Sequence, residues 1–445
     1  MSKALAALLL AALCGPAVAA PGVPAADGLG PVLQAIAERS PDVLAAQAAR
    51  RQADAQVQQA RAAWFGKVDA YGLSQHFNDP RLTRPITQPP NVASYPFAKD
   101  QFGYGLDMQL PIDLSRQIAA EVDAAKRRAE GARWSAEDVR LRSLLQGAAL
   151  YRNLEALDGQ HDALELQIES LRASERAAQA GLKVGTIARV SLLRVQSAVA
   201  ETHSALANVE GQQQKLRAQL AALMGADAFA APVTVPQAGP AALPADPGSP
   251  APTVQAAQDA LAASQAKVRA AQRAQWPQTA ITGGWNHNAV QWDQQPVDTW
   301  QINLAVRMNL WAGGGQQSAV DAAQAAAEEA KDRLASAEHA LRAARAGAVA
   351  QWQAQAAALR AAQSGLDAAQ ESARIEQDRF KNGLGSATEL TDAEAALARA
   401  RATVAGALAN WWQADDALRY AYGEPPLAYA EPAHTTPSAD GAPQP

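Results

Sequence analysis

The sequence predicts a mainly α-helical chain with transmembrane β-strands, in which long coiled-coil helices continue a few short barrel-type strands. Three observations carry that expectation. The chain repeats itself at a fixed offset, its helical segments hold a sustained heptad pattern, and two short segments alternate apolar and polar residues.

A fixed internal period means one structural unit used twice. Lys183-Val184-Gly185 recurs as Lys381-Asn382-Gly383, Leu192 as Leu390, Gly225 as Gly423, and Pro111-Ile112 as Asn309-Leu310. All are separated by 381 − 183 = 198 positions. Trp64 with Trp276, and Gly72 with Gly284, pair at 276 − 64 = 212 instead. The difference, 212 − 198 = 14, places a longer loop in the first copy, and the Pro-rich stretch Asp79 to Lys99 supplies it. Each copy therefore reads helix, strand, loop, strand, long helix, tight turn, return helix. The copies are expected at 20–225 and 253–423, joined by a Pro-, Ala- and Gly-rich linker at 226–252. Residues 424–445 read as a disordered tail.

The heptads run through Leu150, Leu154, Leu157, His161, Leu164, Ile168 and Leu171, and again from Leu192 to Leu223. In the second copy the series is Leu390, Ala393, Leu397, Ala400, Val404, Ala407, Trp411, Ala414 and Leu418. A repeat of 3.5 residues specifies packed, supercoiled helices, and the many Ala at the seam let backbones approach closely. From Arg116 to Ala180 the pattern gives a rod of roughly 100 Å at 1.5 Å per residue. No compact domain holds such a rod, so it must project.

The strands show apolar-out, polar-in alternation, the pattern of a transmembrane barrel. Phe102, Tyr104, Leu106, Met108 and Leu110 share one face, and Gly103, Gly105, Asp107 and Gln109 the other. In the second copy Trp300, Ile302, Leu304, Val306, Met308 and Leu310 oppose Gln301, Asn303, Ala305, Arg307 and Asn309. Their partners are Lys67–Phe77 and Gln278–Ala289. Four strands are too few to close a barrel, so the protein must be an oligomer. Two subunits give eight strands and a filled lumen; three give twelve and an open pore.

The amino terminus reads as a secretory signal over 1–19. Lys3 is followed by the apolar Ala4–Leu13 and the small-x-small site Ala17-Val18-Ala19. Cys14, the lone cysteine, either leaves with that segment or carries a lipid, although Leu13 is bulky for lipoprotein processing. Without it the mature chain has no thiol for disulfides or thiolate metal sites. No later run of eighteen apolar residues exists to form a spanning helix, so a membrane crossing must use the strands. With 39 Lys and Arg against 44 Asp and Glu, the chain lacks the basic balance of a nucleic-acid binder.

Taken together these features resemble the TolC-type outer membrane efflux protein (outer membrane factor) family over nearly the whole mature chain. The resemblance rests on Ser40-Pro41-Asp42-Val43-Leu44, Trp276-Pro277 and Asn309-Leu310-Trp311-Ala312-Gly313-Gly314. It rests most on two hairpin tips, Gly181 to Thr186 and Phe380 to Gly385. It implies a homotrimer whose twelve-stranded barrel, surrounded by outer membrane lipid, continues into a twelve-helix periplasmic tunnel. This would lie in the outer membrane of a Gram-negative bacterium. The resemblance also implies that the tips, at Lys183, Val184, Gly185, Thr186, Lys381, Asn382, Gly383 and Leu384, meet a periplasmic adaptor. That adaptor would lead to an inner-membrane pump of RND, ABC or MFS type. Glu389 and Asp392 match the family's acidic aperture positions; a solvated helix face is the other reading. Phe380 stands where members carry Tyr at the aperture, and Gly385 where some place a latching Arg. No cofactor is implied, and the cargo is not legible.

Other motifs point to no chemistry. Gly313-Gly314-Gly315 lacks the Lys and Ser/Thr of a phosphate loop. The six histidines lack ligand spacing, and His161 reads as a packed seam residue. No catalytic arrangement is visible, so no enzyme is expected. The competing readings are a periplasmic coiled-coil adaptor, which would need one hairpin rather than two, and a purely structural coiled coil.

Overall fold

The computed structural model describes residues 28–82, 97–236, 238–248, 250–290 and 297–429. The expected signal with Cys14, the centre of the first inter-strand loop and residues 430–445 of the expected tail lie outside them. Two helices, α1 (Leu29–Arg39) and α2 (Pro41–Ala62), open the chain. Pro41 takes the first helical position of α2, where its missing N–H costs nothing. Strands β1 (Lys67–Leu82) and β2 (Phe97–Ile112) follow, then the hairpin of α3 (Gln117–Lys183) and α4 (Arg189–Leu223). The second copy has a single entry helix, α5 (Pro252–Arg273). Strands β3 (Gln278–Val290) and β4 (Val297–Arg307) lead to the hairpin of α6 (Gly315–Lys381) and α7 (Ala387–Tyr422).

The repeat register survives at helix ends. Both α3 and α6 have 67 residues. Their starts differ by 315 − 117 = 198, their ends by 381 − 183 = 198, and the return helices begin 387 − 189 = 198 apart. At 1.5 Å per residue each rod is roughly 100 Å long. The helices start differently. Arg116 enters α3 in the left-handed region at φ 58°, where its counterpart before α6 is Gly314 at φ 85°. Asp113 compensates in the first copy. Its carboxylate accepts from the Ile118 N–H at 3.1 Å and the Ala119 N–H at 2.8 Å, satisfying two orphan donors.

The strands form one antiparallel sheet in the order β1-β2-β3-β4. Opposite residues share a face, so the register aligns whole rows, such as Met108 with Val68 and Gly283. Strand β4 ends at Arg307, three residues before the alternation does. Met308 and Leu310 therefore lie beyond it, on the chain leading to the Gly-rich entry of α6.

The largest apolar core joins α1 to the upper end of the first hairpin. Val32, Leu33 and Ile36 pack on Leu144, Ala148, Tyr151, Leu220 and Met224. Among the described residues of 226–251 none lies in a helix or strand, yet the segment is tied down. Phe229 enters that core, the Thr234 N–H donates to Tyr151 Oη at 3.2 Å, and Trp412 Nε1 donates to Ala238 O at 3.0 Å. The expected disorder from Glu424 onward does not hold for 424–429. After Gly423 caps α7 in the left-handed region, the chain turns and packs Ala428 and Tyr429 on the first core. The guanidinium of Arg140 lies over the Tyr429 ring.

Candidate functional site

The sheet presents two chemically distinct faces. On one, Val68, Ala70, Leu106, Met108, Leu110, Ile281, Ile302, Leu304 and Val306 are aligned by the register. Large apolar side chains on it, from Phe102 to Val306, are exposed in the single subunit. The other face carries Lys67, Asp69, Tyr71, Asp107, Gln109, Thr282, Asn286, Gln301, Asn303 and Arg307. Here Lys67 pairs with Asp69 at 3.0 Å. Tyr71 reaches across β2 to hydrogen-bond Asn286 on β3. That reach requires Gly105 between them, because a Cβ there would lie 2.9 Å from the Tyr71 hydroxyl and 2.7 Å from Asn286 Oδ1.

Aromatic residues bound the apolar face at both ends. Tyr104 contacts Phe102, Trp285 and His287, with ring centroids 6.4, 5.9 and 4.7 Å away, and Trp300 faces Trp285 across the strands. At the strand-to-helix junctions Trp64, Phe65, Leu114, Trp276, Leu310 and Trp311 are exposed, the last two by 84% and 85%. From Trp300 to Trp311 is 11 residues. An extended chain of that length, β4 plus the four residues after it, spans roughly 28 Å at ~3.3 Å per residue and a tilt near 40°, close to the ~25 Å apolar band of a membrane barrel. Sequence reasoning used Trp64 and Trp276 to fix the repeat, and Trp276-Pro277 for the resemblance, but not as a membrane boundary. Their position at strand ends was the signal for a belt. Among the described residues no helix is long and apolar enough to cross a membrane. Strands β1 and β4 each keep one unpaired edge in the subunit.

The tips close by matching turns. Gly185 (φ 82°) and Gly383 (φ 71°) supply the left-handed residue. The Thr186 N–H donates to Gly181 O at 2.9 Å, and the Leu384 N–H to Arg379 O at 2.8 Å. Lys183, Val184, Gly185, Thr186, Lys381, Asn382, Gly383 and Leu384 are all exposed, so both tips offer free surface.

The three aperture candidates do not share one environment. Phe380 is 3% exposed and packs against Ala178 and Val195 of the first hairpin and Ala387 and Leu390 of its own. It faces the seam between hairpins rather than open space, because an aromatic ring gains more from that apolar cleft than from water. Glu389 is exposed but engaged. Its carboxylate accepts from the Ser386 N–H at 2.9 Å while its own N–H donates to Ser386 Oγ at 3.1 Å, a capping box. The Ser386 amide holds that carboxyl below the usual carboxylate range, opposite to the rise that like-charge crowding would bring. Asp392 is exposed on the next turn. At Gly385 a Cβ would meet Arg379 Cβ and the Phe380 nitrogen at 3.1 Å, so this tip is too tight for a longer residue without a shift.

Sequence reasoning missed a polar link between the hairpins. Glu394 is buried, accepts from Ser170 Oγ of α3 at 2.6 Å and is hydrogen-bonded by Gln377 of α6. Nearer the tips, Arg194 of α4 hydrogen-bonds Thr388 of α7. His161 is partly exposed, with carboxylates of Asp162, Glu165 and Glu210 at 3.7–4.0 Å. That loose, solvent-facing group is an ordinary charged surface.

Comparison with known proteins agrees with this geometry. VceC, an outer membrane protein of Vibrio cholerae, superposes with a TM-score of 0.74 at 18% identity, covering 88% of this chain and 95% of its own. MtrE, an outer membrane channel of Neisseria gonorrhoeae solved in its open state, gives 0.71 at 18%, covering 93% and 95%. CmeC, an outer membrane channel of Campylobacter jejuni, gives 0.73 at 16%, covering 89% and 85%. No curated protein matches by sequence. The fold is thus that of the trimeric channels in which a barrel continues into a helical tunnel. The family model for the outer membrane efflux protein matches residues 32–226 and 249–424, which together span most of both repeats. The chain belongs to the outer membrane efflux protein family.

Proposed function

We propose that this protein is the exit duct of a tripartite efflux or type I secretion system, passively conducting substrates delivered by an inner-membrane pump. The observation that carries the reading is one subunit holding both an incomplete membrane sheet and two ~100 Å hairpins. The sheet's apolar band needs lipid, and its open edges need neighbouring strands. Three subunits supply twelve strands, enough for an open lumen lined by Lys67, Asp69, Asp107, Asn303 and Arg307. The hairpins carry that lumen into the periplasm, and the tips around Val184 and Leu384 leave exposed apolar side chains for a periplasmic adaptor. An adaptor function for this chain itself leaves the apolar sheet face without a partner. Glu389 and Asp392 are the candidate aperture carboxylates.

Photo-crosslinkers at Val184 and Leu384 in intact cells test the assembly. Products containing a periplasmic adaptor are expected, whereas a crosslink-free trimer in the outer membrane would remove the tripartite reading. Single-channel recording tests the aperture. Glu389→Gln with Asp392→Asn should weaken cation selectivity, and unchanged selectivity would return both residues to a solvated helix face.

A further inference from the structure

One cluster of ionisable groups lies far from both the sheet and the tips. It joins the two repeats where α3 crosses α7. Arg152 and Glu155 come from α3, Asp415, Asp416 and Arg419 from α7, and Trp352 from α6. Glu155 is 2% exposed, and Asp415 and Asp416 are 1% exposed. Arg152 Nη1 donates to both oxygens of Glu155, at 2.9 and 3.1 Å, and its guanidinium lies 4.8 Å from the centre of the Trp412 ring. Asp415 is fully engaged, by Trp352 Nε1 at 3.0 Å and Arg419 Nε at 2.9 Å.

Asp416 is the exception. Neither of its oxygens has a hydrogen-bond partner, and neither does Arg152 Nε, which stops 3.7 Å short of it. Counting charges explains why. Glu155, Asp415 and Asp416 are three carboxylates facing two guanidiniums, so full ionisation leaves one negative charge buried without compensation. Arg419 is also shared with Glu424 at 3.6 Å, which weakens its share of the balance. Among the described residues the linker adds no charge here; it offers the Ala238 carbonyl to Trp412. A buried unpaired charge is disfavoured strongly enough that the group neutralises instead.

We propose that this cluster is a proton-binding joint between the repeats: one proton shared by Asp416 and Glu155 clamps α7 against α3, and its loss loosens them. Burial, opposed by Arg152, lifts both carboxyls to about 7, within the range a periplasm can cross. The two titrate as a coupled pair rather than as separate sites. One turn toward the tips from Glu155, Gly159 lies so close to Ala405 that a Cβ would meet it at 2.4 Å. Charge repulsion at the joint therefore acts beside a close approach of α3 to α7. Helix α7 also carries Glu389 and Asp392, so the joint couples proton concentration to the element that bears the candidate aperture.

The sign follows from linkage. The folded carboxyls keep their proton to higher pH than unfolded ones, so their stabilisation is complete below about pH 4 and is lost as pH rises toward about 7. Amide exchange over residues 412–418, measured on the full-length detergent-solubilised protein and corrected for intrinsic rates, reads this locally. Protection should fall on the order of tenfold between pH 5.5 and 7.5. Asp416→Asn should remove most of that dependence while keeping the protection seen at pH 5.5, and Glu155→Gln should flatten it as well. Wild-type pH dependence in both variants would overturn the proposal. The wild-type measurement also stands alone if a variant fails to assemble: no change in this segment between pH 5.5 and 7.5 contradicts it.

Discussion

Helices α3 and α6 have equal length and occupy the same place in the two repeats, yet one is wrapped and the other is bare. Helix α3 packs along α2, α4, α5 and α7 and buries residues throughout its length. Helix α6 packs chiefly on α5 and α7 and buries only Val320, Leu359, Ala373 and Phe380. The difference is one of position, since α3 lies inside the subunit and α6 at its edge. An edge helix of about 100 Å with an open flank, beside a sheet with two open edges, calls for another copy of the chain on each side. Duplication built the subunit, and in the proposed oligomer the open flank of α6 is where a neighbouring copy would repeat that packing.

The tips sharpen that comparison, and the largest effect is expected there. Phe380 corresponds to Leu182 in the first repeat (380 − 182 = 198), but only Phe380 fills the cleft between hairpins. Phe380→Ala should destabilise the tip by about 3–5 kcal/mol, as buried Phe truncations do, and Leu182→Ala by distinctly less. Amide exchange across both tips measures the two. Equal effects would mean that the repeats are equivalent there.

Next come the two faces of one strand. Ile302→Arg, on the apolar face, should cost about 2–4 kcal/mol at mid-bilayer and deplete folded protein from the outer membrane. Asn303→Arg, one residue on, should be tolerated because it faces the lumen. Band-shift assays on membrane fractions separate them.

The helix starts give smaller contrasts. Ser386 caps α7, whereas α4 begins after Ala188 with no side-chain cap. Ser386→Ala should cost about 1 kcal/mol, and Ala188→Ser should recover part of that in the first tip. Smallest of all, Arg116→Gly copies Gly314 into the first repeat. Relief of the left-handed backbone, about 1–2 kcal/mol, is partly offset by the flexibility Gly adds to the unfolded chain. A rise in thermal midpoint of a few degrees or less is the expected net result.

Much of this architecture was legible because it is periodic. The 198-residue register predicted where α6 ends once the first tip was placed, and alternation marked the apolar face from Phe102 to Val306. The strand's end at Arg307 was not legible, because apolar residues continue through Met308, Leu310 and Trp311 to serve the membrane boundary instead. Glu389 was noticed as an acid, although Ser386-Ala387-Thr388-Glu389 already spelled a capping box in the sequence. Phe380, Glu394 and Asp416 could not be placed, since their surroundings come from helices up to 264 positions away, as with Arg152 and Asp416 (416 − 152 = 264). Periodicity fixes which face a residue occupies. It does not say which distant helix covers that face.

The central claim is that β1 and β4 pair between subunits to close a shared barrel. Single cysteines in β1 at 69–73, each combined with one in β4 at 299–303, can be oxidised in isolated outer membranes and resolved on denaturing gels. Covalent dimers and trimers in a register-dependent pattern are the predicted result. Monomers alone across all pairs, or a chain recovered from the soluble periplasm, would contradict it.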